Sequence, residues 1–296
     1  MLVAVTGASG FTGSALLAAL RKDGHTALAI GRAGSSDIRW NPDESRLDGA
    51  SLADVDAVVH LAGAPIGERW TAARKRAIRE SRVRGTQLVA STIAALPPGQ
   101  RPRVLVCASG VGFYGSRGDE WLDETSTPGT DFLATVAREW EAAAEPARAV
   151  GIRVVHLRNG LILSPHGGAL AKMLPVFRLG AGARLGNGRQ WMSWIALDDV
   201  VRAMQFALVT DTLAGAANAV SPAPVTNAEF TTTLAHVLNR PVLAAVPEFA
   251  LRVLFGEMGA ATLLASQRAR PARLAAVGFE FLHPALESAL RFEFQR

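Results

Sequence analysis

Thr6-Gly7-Ala8-Ser9-Gly10-Phe11-Thr12-Gly13 decides how the rest of this chain is read. It follows Leu2-Val3-Ala4-Val5, an apolar run as short as a buried parallel strand. It precedes a segment in which Leu16, Leu17 and Leu20 recur at helical spacing. The order is strand, glycine turn, helix. In such a junction one glycine permits the tight turn and a second lets a pyrophosphate approach the backbone. A third lets helix pack on strand, and the phosphate charge meets the helix N-terminus. Three glycines at this spacing occur in many loops. Their place directly after a strand that begins at residue 2 selects a phosphate-binding turn over a plain one.

Outward from that turn, apolar strands and helix-period segments alternate. Thr26 to Ile30 reads as a second strand after the helix stop at Gly24, and it ends in Gly31-Arg32. An acid at the end of this strand suits the ribose 2′-hydroxyl of NAD, whereas an arginine accommodates the 2′-phosphate of NADP. Arg32 stands there and no acid appears before Asp37, which favours NADP; the alternative is a surface arginine. A short strand, Ile38-Arg39-Trp40, is followed by Asp56-Ala57-Val58-Val59-His60-Leu61-Ala62-Gly63, a second strand closing in a glycine. A long basic helix is expected from about Thr71 to Leu96, then strands over 103–108 and 152–157, with one helix between them from Asp131 to Val150. This alternation predicts an α/β fold, a Rossmann-type doubly wound parallel sheet covered on both faces.

After residue 165 glycine and proline become frequent, as in Ser164-Pro165-His166-Gly167-Gly168, a composition typical of loops that form or cover a binding site. Trp191 to Leu197 reads as a strand and Asp198-Asp199 as the cap of a helix running to Val209. The expected division is a Rossmann domain over 1–165, to which about 196–222 returns. A smaller α+β C-terminal domain takes 166–195 and 223–296, with short helices near 227–238, 247–255 and 284–292.

The 296 residues, 49% apolar and 19% charged, describe an ordinary globular chain. Without a long apolar span or a leader pattern, it is expected to be cytoplasmic and off the membrane. One cysteine, Cys107, excludes an internal disulfide framework, and the six histidines lack metal-ligand spacing, so no metal is expected. The net charge of +5 is carried mostly by arginine. Its only dense cluster, Arg69 to Arg84, lies on the long helix, where most of it reads as a solvated face rather than a nucleic-acid surface. Arg82 differs, because it falls on the apolar stripe of Ile78, Gly85 and Val89. A partly buried arginine needs an anionic partner, and a cofactor phosphate is one candidate.

Several features together resemble the extended short-chain dehydrogenases/reductases: Gly7-x-x-Gly10-x-x-Gly13, Leu61-Ala62-Gly63, Ser109 at a strand end with Tyr114-Gly115, and the variable last domain. More narrowly, Ser81-Arg82, Trp140-Glu141, His166 to Leu170, Ser193-Trp194-Ile195, Phe255 to Met258, Gln267-Arg268 and Gly278 to Phe281 resemble an atypical branch of the NAD-dependent epimerase/dehydratase family. The resemblance implies NADP held at Gly7, Gly10, Phe11, Thr12, Gly31, Arg32, Leu61, Ala62, Gly63 and Arg82, with Asn159, Gly160 and Leu161 near the nicotinamide. The implied partner is a small-molecule substrate. A homodimer is left open.

Ordinary relatives transfer hydride with Tyr-x-x-x-Lys, two side chains one helical turn apart whose phenol serves as acid or base. This chain has a single tyrosine, Tyr114, with glycine at 118, and no tyrosine precedes Lys22, Lys75 or Lys172 by four. Counting back from Glu141 puts Leu133 and Ala137 in the two places. Three options remain. Another group, Ser109, Tyr114 or His166, supplies the proton; or the substrate is easily reduced and takes its proton from water; or the protein binds NADPH and senses without turnover. Sugar epimerisation, which needs a base, ranks below these.

Overall fold

The computed structural model of the chain describes residues 1–32, 34 and 36–295. Side chains of β1 (Leu2–Thr6) alternate between two faces, and from Val3 to Thr6 all are buried, as a central parallel strand requires. α1 (Phe11–Lys22) leads to β2 (Thr26–Gly31), β3 (Ile38–Asn41) and β4 (Arg46–Leu47) on one side of β1. On the other side lie β5 (Ala57–His60), α2 (Ala72–Ala95), β6 (Val104–Gly110), β7 (Trp121–Leu122), α3 (Phe132–Ala142), α4 (Glu145–Ala149) and β8 (Arg153–Asn159). Then follow β9 (Leu161–Leu163), α5 (Gly168–Arg178), β10 (Ala183–Leu185), β11 (Trp191–Met192), β12 (Trp194–Ala196), α6 (Leu197–Val209) and β13 (Gly215–Ala219).

The main sheet has eight strands in the order β13-β8-β6-β5-β1-β2-β3-β4. All its pairs are parallel except β3 with β4. Strand order reverses at β1, whose neighbours are β2 and β5, so the carboxyl ends of β1 and β5 open a crevice where doubly wound sheets bind ligands. Leu16, Leu20, Val200 and Met204 of α1 and α6 cover one face of the sheet; Val89 and Ile93 of α2 with Ala147 of α4 cover the other. The chain ends with β14 (Val225–Thr226), α7 (Asn227–Val237), β15 (Leu243–Val246), α8 (Glu248–Thr262), β16 (Arg268–Ala269), α9 (Ala272–Ala276) and α10 (Leu286–Gln295). A separate core joins Leu170 and Leu174 of α5, Trp194 of β12, Phe230 and Leu234 of α7, and Leu290 of α10.

Three expectations change. The helix expected from 131 to 150 is two helices, α3 and α4. Pro146 has no N–H to give the preceding turn, so the ladder of α3 cannot run through it, and the proline sits instead in the first turn of α4. The strand expected from 191 to 197 is two, because β11 pairs antiparallel with β14 while β12 pairs parallel with β9. Ala196, not an aspartate, occupies the N-cap of α6. The fully buried Asp199 carboxylate instead accepts the backbone N–H groups of Leu282 (2.7 Å) and His283 (2.9 Å), fastening the segment before α10 to the sheet's covering helix.

Candidate functional site

The crevice between β1 and β5 is shaped by glycine. Gly7 has φ +68°, and a Cβ there would lie 2.9 Å from the Ala62 nitrogen and the Leu61 carbonyl carbon, so the two turns touch backbone to backbone. At Gly13 a Cβ would lie 2.2 Å from the Gly7 oxygen, which is how closely α1 rides on the turn. No side chain caps the start of α1 and no acid stands in its first turn, leaving its first amides open to an anion.

Thr6 and His60, paired across β1 and β5, hold this arrangement. Thr6 Oγ1 accepts the N–H groups of Leu61 (3.1 Å) and Ala62 (3.2 Å), which uses both its lone pairs. Its hydroxyl proton therefore goes to His60 Nδ1 at 2.7 Å, fixing the neutral tautomer with the proton on Nε2. Burial agrees, lowering His60 from the ordinary 6.5 to about 4. Between those values the unfolded chain binds a proton that the folded one refuses, so stability is expected to fall as pH drops from 6.5 to 4. The loss from His60 should approach about 3 kcal/mol. Buried His156 is shifted the same way and steepens the slope. Urea unfolding of His60→Asn across this range should show a slope reduced by roughly one proton; an unchanged slope would refute the assignment.

Arg82 lies on the stripe of α2, and its Nη1 donates to the carbonyls of Ala64 (3.0 Å) and Ile78 (3.1 Å). Its guanidinium packs under Gly63, where a Cβ would sit 3.3 Å from Cζ, and 5.0 Å from the Trp140 ring centroid. Burial, with the Arg74 charge adding to it, lowers its pKa to about 10. Among the described residues no carboxylate pairs with it, whereas Lys75, Arg79 and Arg84 of the same helix pair with Glu257, Glu139 and Glu80. A cation held this way beside the crevice fits a phosphate-bearing cofactor. Gly31 ends β2 and Arg32 follows it, exposed.

At the other end, Asn159 donates from Nδ2 to the Ser109 carbonyl (3.3 Å), while its enclosed Oδ1 has no partner. Leu161 is fixed through its N–H to the Ser193 carbonyl at 2.8 Å. The glycine-rich loop closes over the first turn: a Cβ at Gly167 would lie 2.6 Å from the Phe11 ring, so the loop rests flat on that phenyl group. Lys172 Nζ donates to the Gly67 carbonyl (2.8 Å), bridging α5 to the loop beyond β5. Sequence period alone could not show either contact. His166 is exposed ahead of α5.

Ser109 and Tyr114 lie together, but in a buried network. Ser109 Oγ donates to Glu141 Oε1 (2.8 Å), and Arg158 clamps both oxygens of Glu141 at 2.8 Å. Arg158 Nη1 also reaches the Tyr114 hydroxyl (3.1 Å), which donates to Asn218 Oδ1 (2.7 Å). The Tyr114 side chain is 0% exposed, and burial raises its phenol above the ordinary value although Arg158 pulls the other way. Ala137 packs with Tyr114 and Phe113. The sequence marks Glu141 through the Trp140-Glu141 motif, whereas its partnership with Arg158, 17 residues on, shows only in the fold.

Comparison with known proteins follows the same outline. The model of the NAD dependent epimerase/dehydratase family matches residues 3–219, and that of a domain of unknown function, DUF1731, matches 246–293. An epimerase family protein of Mycobacterium tuberculosis is 46% identical over 295 residues, covering 98% of this chain and 97% of its own. The chloroplastic epimerase family protein SDR39U1 homolog of Arabidopsis thaliana is 40% identical over 301 residues, covering 98% and 86%. The crystal structure of human epimerase family protein SDR39U1 (isoform 2) with NADPH superposes with a TM-score of 0.91 at 33% identity, over 100% of both chains.

Proposed function

Because this chain belongs to the NAD dependent epimerase/dehydratase family, we propose that it binds NADP(H) in the β1/β5 crevice and is an oxidoreductase acting on a small molecule without a Tyr-x-x-x-Lys pair. The observation that carries it is Arg82, a half-buried guanidinium beside the glycine turns with no carboxylate paired to it among the described residues. The amides opening α1 at Phe11 and Thr12 would hold the diphosphate close against Gly10, whose own N–H is taken by the Gly7 carbonyl (3.0 Å), with Arg32 on the 2′-phosphate, and Asn159 Oδ1 would offer an acceptor to the nicotinamide carboxamide. The cofactor would supply or accept the hydride.

The chain's own part is binding, orientation and exclusion of water by the loop resting on Phe11. Proton transfer falls to solvent in this reading, since Leu133 and Ala137 are apolar, Ser109 gives its proton to Glu141 and Tyr114 is enclosed. That suits an acceptor reduced without a tyrosine acid and disfavours sugar epimerisation. The same closed network supports a second reading, a protein that binds NADPH and senses it.

Calorimetry with both dinucleotides tests the cofactor. Arg82→Ala should weaken NADPH by roughly 10- to 100-fold, the worth of a charge-assisted contact, while the chain stays folded. Arg32→Asp should weaken NADPH far more than NADH. Equal losses, or none, would overturn the placement. Oxidation of NADPH by a carbonyl, quinone or activated alkene separates oxidoreductase from sensor.

A further inference from the structure

We propose that Arg268 binds an oxyanion, a carboxylate or phosphate group, of the substrate. The inference rests on the cofactor reading above only for its location. Arg268 lies flat between two indoles, its guanidinium carbon 4.0 Å from the ring centroid of Trp121 and 3.9 Å from that of Trp191. Its Nε is enclosed without a partner, and among the described residues no carboxylate is paired with it. The acids around it are committed: Asp119 accepts from Trp191 Nε1 (2.8 Å), Asp123 pairs with Arg270, and Glu120 with Arg117.

Stacking between aromatic faces orients a guanidinium but satisfies none of its N–H donors. With both faces covered, only the edge is left for a ligand, the direction in which a carboxylate or phosphate takes two parallel hydrogen bonds. The side chain is already ordered, so little rotamer freedom is lost on binding.

The strand that carries it is tied to the cofactor crevice. Ser193 Oγ donates to the Gln267 carbonyl (2.8 Å) and accepts the Ala269 N–H (2.9 Å), pinning the strand on both sides of Arg268. The Ser193 carbonyl in turn accepts the Leu161 N–H and packs on Gly160, where a Cβ would lie 2.5 Å from it. Ala269 faces the core of Tyr114 and Ala137, so strand alternation turns Arg268 to the opposite face.

The test titrates inorganic phosphate and, separately, acetate into the NADPH-loaded protein at constant ionic strength set with chloride, read by calorimetry and tryptophan fluorescence. With NADPH present its own phosphate sites are occupied. At least one anion should bind in the wild type, Arg268→Gln should weaken it tenfold or more, and Arg268→Lys, which keeps the charge but not the fork, should fall between. NADPH affinity should stay within twofold in both variants. Phosphate binding alone points to a phosphorylated substrate and acetate alone to a carboxylate. Equal anion binding by Arg268→Gln and wild type, or no binding above the chloride control, overturns the proposal. If NADPH itself does not bind, the cofactor reading fails, and the same titration of the protein alone still decides Arg268.

Discussion

Gly13→Ala is expected to lower unfolding free energy by about 1–3 kcal/mol and to abolish measurable NADPH binding. Gly10→Ala should leave stability nearly unchanged and still weaken NADPH at least tenfold. The sign at Gly13 is set by two opposed effects. Alanine in a helix interior is favoured over glycine by roughly 1 kcal/mol. Against that, the new methyl would meet the Gly7 oxygen at 2.2 Å, the Gly7 carbonyl carbon at 2.8 Å and the Ala8 Cα at 2.9 Å. All three are backbone atoms, so α1 must move off the turn, and the amides that open it move too. At Gly10 the backbone (φ −74°, ψ 161°) suits any residue and a Cβ would come no nearer than 3.3 Å to the Gly7 oxygen. Its methyl stands where a diphosphate would approach. Thermal melts beside calorimetry separate the two variants; if Gly10→Ala bound NADPH as the wild type does, α1 would not be the diphosphate seat.

The contrast marks what a sequence can disclose. Gly7, Gly10 and Gly13 were legible because spacing and a preceding apolar strand are local, and Arg82 because a basic residue on an apolar stripe conflicts with its own helix. What local pattern did not reveal depends on partners far along the chain. Asp199 looked like a helix cap, since its neighbours suited one; its carboxylate serves amides at 282 and 283. Arg268 meets Trp121 and Trp191 only after β16 joins β7 and β11 joins β14. Ser109 and Tyr114 were visible as chemistry-bearing residues at a strand end, but the Glu141 and Arg158 side chains that occupy them come from α3 and β8. The break between α3 and α4 could have been read, because Pro146 lies in the sequence; periodicity on both sides of it hid the interruption.

That Glu141–Arg158 pair carries the second large effect. It is nearly solvent-free, with side chains 14% and 5% exposed, and breaking such a pair by removing one partner typically costs about 3–5 kcal/mol. Glu141→Ala leaves a guanidinium that cannot shed its charge, over the Phe113 ring at 3.4 Å. Arg158→Met leaves the Glu141 carboxylate buried without its partner, so each single change should be costly. Combining Glu141→Leu with Arg158→Met removes both charges and should cost less than either single change, as replacement of buried pairs by apolar side chains often does. Urea unfolding of Glu141→Leu, Arg158→Met and the double variant measures this, and additive losses would show that the two side chains do not act as a unit. NADPH affinity supplies the functional side. α3 presents Ala137 to the core and commits Glu141 to Arg158. Glu141→Gln should therefore leave NADPH binding within about threefold while stability falls, the energetic weight of the network lying in the fold rather than at the cofactor.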